Sequence, residues 1–500
     1  MGFAASIPAA LRGAANDSLE SQGFGPGIFS IPFSSGQSVT HYLCHAWTDP
    51  EFQTAVMAIP GARVAGVSGT PTDRIEAATD PLPGAVGEID GEFSLGGGGG
   101  EIEISSSPWI TAKAGSSIDI SDVVFTRQEG SGARLVAVLL DGHADTIKFT
   151  RCTFEDNVMA MHTGEEENSI QSLVFEDCEF YDGYHRRVDV DVRPNAIASV
   201  LIKDNKAHNN HSSVFFILGG HGTHIAAQDN VITCDQDFYC VPNGLYITPF
   251  LFEGETLHSY RNTVEGVKSL DDSRDSGYID ARMGAVYCDG DVSRNNGLCT
   301  DAPSSELFRE QPIFQCKGGQ GYGGALAHYK NCTWEIDPDY FGENMPPPHD
   351  FWQIGTRNLI VEGCTIDVFR LRKPKNSDVL SVTIENTTIK ARNIELDDDT
   401  PMGLVWVDHA GLENTGGITL QNVTFEFTNN TSSGPAGLIR LQASACDVLL
   451  DNVATLGAEL DFSYRVRSNS LDSIWSLTDI NVNSETDWWL SHASGIPIIL

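Results

Sequence analysis

Hydrophobic and polar positions along the chain fall into short double runs that share one template, apolar-x-apolar-x-x-pivot-x-apolar. The template is met in full at Ile147-Lys-Phe-Thr-Arg-Cys152-Thr-Phe154. Each half alternates with the period of a β-strand, so one face of each half points inward, and the extra residue between the halves makes a bend. The template recurs with pivots at Val123, Cys152, Cys178, Asn205, Asn230, Asn262, Asn295, Cys332, Cys364, Thr387, Val423, Val453 and Ile480. Consecutive pivots are 23 to 37 residues apart, with strand and turn patterns between them and no helical one. A repeat of that size predicts a solenoid of about 13 coils, because one coil cannot bury its apolar face alone whereas a stack can. A β-sandwich is the competing architecture, but nothing in a sandwich calls for the same bent double strand so many times.

Residues 1 to about 95 depart from the template and are rich in Ala, Gly, Pro and Ser. The run Gly97–Gly100 follows, and Glu101-Ile-Glu-Ile reads as the opening of a strand. The expected organisation is an N-terminal attachment module or arm over 1–96, a glycine hinge, and a solenoid over 97–485. The apolar end, 486–500, is expected to be a cap or a subunit contact, since an open solenoid end exposes strand edges. Between 230 and 364 the repeat is longer, which predicts projecting loops. The start, Met1-Gly-Phe-Ala-Ala-Ser-Ile-Pro, does not read as a secretory signal.

Charge narrows the partners. Asp+Glu number 68 against 31 Lys+Arg, a formal net charge of −37. Phosphate binding relies on a basic surface, so nucleic acid is not expected, and neither is anionic lipid. No apolar run is long enough to span a membrane. An acidic, lysine-poor surface suits high salt, as in a halophile, or simply an acidic exported protein. It is also a poor match for a polyanionic glycan without intervening cations. Of the 11 cysteines, Cys152, Cys178, Cys332 and Cys364 occupy pivots. There they are expected to be free thiols stacked between neighbouring coils as small apolar fillers. Cys234/Cys240 and Cys288/Cys299/Cys316 lie in loop-like sequence and are the disulfide candidates. None shows zinc spacing.

The bent double strands with Asn or Cys at the bend, as in Arg151-Cys-Thr-Phe-Glu-Asp-Asn157 and Glu385-Asn-Thr-Thr-Ile389, resemble the right-handed parallel β-helix superfamily. This is the pectate-lyase-like fold of pectinases, polysaccharide lyases and viral tailspikes. The likeness covers about 100–485 and implies three parallel sheets along the stack, with pivots forming inward ladders. Gly220-His-Gly222 looks like a polygalacturonase motif, but Asp271-Asp272 follows it where that family's paired aspartates precede it, and no Arg-Ile-Lys is present. Arg372-Lys-Pro-Lys matches the pectate-lyase Arg-x-Pro-x-x-Arg only superficially. The overall organisation looks most like a viral tailspike or fibre. That resemblance implies a homotrimer on the virion surface, joined to other virion proteins through 1–96 and meeting a host-surface polysaccharide or glycoprotein. A secreted polysaccharide-degrading hydrolase or lyase and a purely structural capsid or baseplate protein are the alternatives.

Three stretches carry candidate chemistry. In His185-Arg-Arg187-Val-Asp189-Val-Asp191-Val-Arg193, alternation turns Val188, Val190 and Val192 inward. It leaves His185, Arg187, Asp189, Asp191 and Arg193 on an outward face, where carboxylates and guanidinium groups can bind sugar hydroxyls. Exposed alternating charges of this kind are also commonly just solvated. Asp271, Asp272, Asp275 and Asp280 cluster in a loop region. Glycoside hydrolysis needs two carboxyl groups about 5–5.5 Å apart for retention, or about 6.5–9.5 Å for inversion. Neighbouring loop aspartates are able to meet either spacing, or to bind Ca²⁺ through oxygen ligands; no other cofactor is expected. Trp352 and Tyr340 flank Pro346-Pro-Pro348 as stacking candidates, whereas Trp334 sits at an inward position and reads as core. Asn331, Asn386 and Asn422 begin glycosylation-type triplets, yet each adjoins a pivot, where turn chemistry explains it equally well.

Overall fold

A computed structural model describes residues 27–33, 37–44, 74–76, 88–104, 108–127, 135–155, 158–163, 168–181, 189–192, 196–210, 214–220, 222–235, 250–269, 279–298, 314–316, 325–336, 352–354, 358–367, 371–372, 381–392, 395–396, 403–407, 417–428, 431–432, 437–441, 448–456, 465–468, 475–478, 489–492 and 497–499. Regular structure among them is entirely β, and the chain is a parallel β-helix solenoid. It divides into two compact units, Met1–Val231 and Ile232–Leu500.

In the first unit each coil contributes three strands to three stacks. One stack runs through Ser117–Arg127, His143–Thr150, Ser169–Glu176, Ala196–Lys203 and His224–Gln228, all parallel and in register. A second follows the bend, through Thr153–Phe154, Glu179–Tyr181 and Lys206–His208. A third comprises Ile110–Ala112, Leu135–Leu140, Val158–Thr163, Val190–Val192 and Phe215–Leu218. The second unit repeats the plan, with Phe250–Tyr260, Ile279–Asp289, Leu326–Lys330, Asn358–Glu362, Ser381–Glu385, Ile418–Thr428, Val448–Leu456 and Trp475–Thr478 in one stack. Equivalent apolar positions therefore lie one above another. Phe125, Phe154 and Phe180 stack at centroid distances of 5.2 Å, and Phe149 and Phe175 at 5.1 Å. Such ring pairs add about 0.5–1.5 kcal/mol each to the burial of their area.

The bend has one cause. Among the described residues, the residue before the pivot adopts a left-handed backbone: Asp122, Arg151, Asp177, Asp204, Asp229, Arg261, Asn331, Asn386, Asn422 and Asn452 all have φ between 50° and 57°. Gly290 and Gly363 serve in two further coils. Asp and Asn tolerate this region because their short polar side chains hydrogen-bond locally. Backbone pairing continues through the bend, as in Arg151 N–H to Glu176 O and Asp177 N–H to Lys203 O, both 2.9 Å. The following N–H then points inward, away from any strand, and in several coils the polar pivot of the next coil supplies its acceptor. Cys178 N–H donates to Asn205 Oδ1 at 2.9 Å, and Asn205 N–H to Asn230 Oδ1 at 3.0 Å. Asn262 N–H donates to Asp291 Oδ1 at 2.8 Å. Cys332 N–H donates to Cys364 Sγ at 3.4 Å, and Cys364 N–H to Thr387 Oγ1 at 3.3 Å. A buried unsatisfied N–H costs about 1–3 kcal/mol, which is why polar side chains sit in this core.

Several expectations are corrected here. The repeat with its pivot at Asn295, read over Gly290–Gly297, is out of register: the pivot is the buried Asp291, preceded by the left-handed Gly290, and the template reads Val286-Tyr-Cys-Asp-Gly-Asp291-Val-Ser293. Asn295 makes a second bend in that coil, turning in Asn296, whose Oδ1 accepts from Val267 N–H at 2.9 Å. Gly97–Gly100 lies inside the strand Glu92–Ile104, with a register shift between Gly96 and Gly100, because the bend occurs within a continuous strand. Parallel pairing already occurs at Arg74–Glu76. Cys234 and Cys288 are free thiols, and Cys288 is an inward strand residue. Cys152, Cys178, Cys332 and Cys364 are free and buried, as their pivot position predicts. Near the C-terminus, Trp489–His492 pairs parallel with Arg465–Ser468, and Pro497–Ile499 folds back antiparallel onto its other edge.

Candidate functional site

An assembly of ligand-type side chains lies on the outward face of the first stack of the second unit. Leu257, Val286, Ala327 and Leu359 are inward and fully buried, so alternation turns their successors out. Register then aligns His258, Tyr287, His328, Ile360, Thr383, Thr419 and Leu449 in one row along the stack. The row begins as a platform of rings: His258 and Tyr287 stack at 4.9 Å with an 8° interplanar angle, and Tyr260 lies 6.1 Å from His258. His258 Nδ1 and the Tyr260 hydroxyl are 3.1 Å apart.

Two residues further along each strand comes a second row, Tyr260, Asp289, Lys330, Glu362, Glu385, Gln421 and Asp451. Glu362 joins the rows, accepting from Lys330 Nζ at 3.0 Å and lying 3.3 Å from His328 Nε2. The Lys330 ammonium, then His328, hold the Glu362 carboxyl below its ordinary range, and Glu362 raises Lys330 in turn. Gln421 Nε2 donates to Asp451 at 3.0 Å. The bend residues form a third row. Asn331 Nδ2 donates to Asp289 at 2.9 Å, Asn422 Nδ2 to Asn386 Oδ1 at 2.9 Å, and Asn452 Nδ2 to Asn422 Oδ1 at 2.7 Å. Rings thus occupy the first three coils of the face, carboxylates recur along it, and the linked amides lie over its later coils. Flat apolar faces next to fixed hydrogen-bonding groups suit a polyhydroxylated ligand.

Elsewhere the candidates fare differently. Val190 and Val192 are inward, as alternation predicts, but Asp189 and Asp191 are not exposed: they are 7% and 4% accessible. Alternation specifies which face a side chain takes, not whether that face is bare. The row Thr111, Leu139, His162, Asp191 and Phe216 crosses five strands and is buried or half-buried throughout. Asp191 Oδ2 lies 3.6 Å from His162 Nδ1. Asn209, at φ 54°, turns the chain a second time and places Asn210 so that its Nδ2 donates to Asp189. Burial pushes the Asp189 carboxyl up to about 8, against a smaller lowering by Asn210. Asp189 is therefore a carboxylic acid at neutral pH, shut away from a polymer.

The first unit also carries an open groove of about 540 Å³ at its bends, lined by Thr150, Arg151, Glu176, Asp177, Asp204, Lys206, Asp229 and Val231. Its bases are engaged: Arg151 is bidentate to Asp122 at 2.6 and 2.7 Å, and Lys206 lies 3.2 Å from Glu179.

Asp271, Asp272, Asp275, His185, Arg187, Arg193 and Tyr340 lie outside the described residues. Trp352 starts a strand paired with Phe314 and Leu371. Asp280 lies in Ile279–Asp289, opposite Leu251 and Gln315. Trp334 is buried edge-on to Tyr329 at 5.5 Å, a core residue. Sequence reasoning missed His258, Tyr260, Tyr287 and His328. Their signal is the second residue of successive templates, His258, Tyr287 and His328, with Tyr260 the fourth residue of the first, and Tyr287 aligns only when Asp291 is taken as the pivot.

No known protein family, no curated protein and no solved structure matches this chain.

Proposed function

We propose that the protein recognises a glycan along this outward face, as a β-helix of the tailspike or fibre kind carried on a virus particle. The observation that carries the reading is the stacked ring pair, His258 on Tyr287 at 4.9 Å, beside the Asp289 carboxylate and the Asn331 amide that donates to it. Aromatic rings supply large apolar contact at little entropic cost, and the ladders already hold their acceptors and donors in place. The placement on a particle and the host-surface origin of the glycan rest on the resemblance of the solenoid to tailspikes. Recognition is favoured over cleavage at Asp189 and Asp191 because those carboxyls are buried. Incubating the purified protein with a panel of cell-surface polysaccharides, and following retention and product size, tests the reading. Retention of at least one polymer without shortening is expected. Retention of none favours a structural role, and shortened products make the protein an enzyme.

A further inference from the structure

The same face carries information about which glycans it takes. Its second row and bends place the carboxylates of Asp289, Glu362, Glu385 and Asp451 against two cations, Arg261 and Lys330. The Lys330 ammonium is already engaged by Glu362 at 3.0 Å, and the Arg261 stem lies over Gly290. Asp289 and Asp451 accept from neutral amides, which do not offset their charge. The amides of Asn386, Asn422 and Asn452 are linked head to tail beside this row. Carboxylates accept hydrogen bonds and do not donate them, so they suit sugar hydroxyls or amines and repel sugar carboxylates and sulfates.

Resting on the reading of this face as a glycan surface, we infer that it selects uncharged or amine-bearing sugars and rejects acidic ones. Rejection is electrostatic and graded along the row. It is strongest over Glu385 and Asp451, which stand either side of Gln421, two coil spacings of about 4.8 Å apart, and weaker over Glu362, whose charge Lys330 offsets. The net charge of −37 acts in the same direction at longer range.

The test pairs neutral polysaccharides with carboxymethylated or sulfated derivatives of the same backbone, immobilised and presented at low and high NaCl. Neutral polymers are expected to be retained at both salts, and their acidic derivatives at least tenfold more weakly at low salt, with the gap narrowing as salt screens the row. The double variant Glu385→Gln and Asp451→Asn keeps shape and hydrogen-bonding capacity, and it is expected to gain affinity for the acidic derivatives at low salt. Preference for acidic polymers overturns the inference while leaving glycan recognition standing. So does a double variant that folds as the wild type and rejects them unchanged. Retention of no polymer of either kind removes the recognition reading and the inference with it.

Discussion

At the scale of single residues, the bend depends on a left-handed residue, followed in several coils by an inward acceptor. Asn205 shows the coupling: its Oδ1 accepts from Cys178 N–H and its Nδ2 donates to Phe175 O at 3.0 Å. Asn205→Leu fills the space but leaves both backbone groups without these bonds, and should cost about 2–4 kcal/mol, read as a lower urea midpoint. Asn230→Leu should behave alike, because Asn230 makes the equivalent bonds in the next coil. Asp189 makes a prediction with a definite sign. Its folded pKa of about 8 lies above the ordinary value of 3.8, so between those values the folded protein binds more protons than the unfolded chain. Its contribution to stability is then fully present below about 4 and is lost as pH rises through 8, with a slope of up to about 1.4 kcal/mol per pH unit. Asp189→Asn should flatten that slope in urea titrations between pH 5 and 8; an unchanged slope would assign it to other groups.

At the scale of elements, most of the architecture is legible in the sequence and its decoration is not. The apolar template is a local signal: Ile147, Phe149, Cys152 and Phe154 all point inward and are all buried. The functional face is a relation between coils some 30 residues apart, so one slipped pivot hides it. Placing the pivot at Asn295 instead of Asp291 moves Tyr287 off the row that it shares with His258 and His328. The slip arises because an aspartate at a core position looks like loop sequence, whereas here its Oδ1 receives the Asn262 N–H and its Oδ2 the Ser259 hydroxyl. The disulfide expectation for Cys288 fails for the same reason, since its strand reads as a loop. Asp189 and Asp191 mislead differently. Their alternation is plain, but burial of an outward row depends on the rest of the chain. Core stacking yields a prediction of its own. Phe154 sits between Phe125 and Phe180 at 5.2 Å from each. Phe154→Ala should cost about 3–5 kcal/mol, a loss that thermal unfolding would register and that Phe154→Leu should largely restore.

At the scale of the whole molecule, charge and the ring platform dominate. A net charge of −37 repels itself, and in about 1 M salt the Debye length falls to about 3 Å. Melting temperature should therefore rise steadily as NaCl is increased, and a fall would show that the carboxylates are paired off rather than mutually repelling. The ring platform carries the functional claim. The most direct measurement is the affinity of the wild type and of Tyr287→Ala for whichever polysaccharide the wild type retains, with both proteins shown to melt alike. Loss of the ring that stacks on His258 is expected to weaken binding roughly tenfold, or about 1.4 kcal/mol. Unchanged affinity in a folded Tyr287→Ala protein would place recognition elsewhere and contradict the assignment of this face.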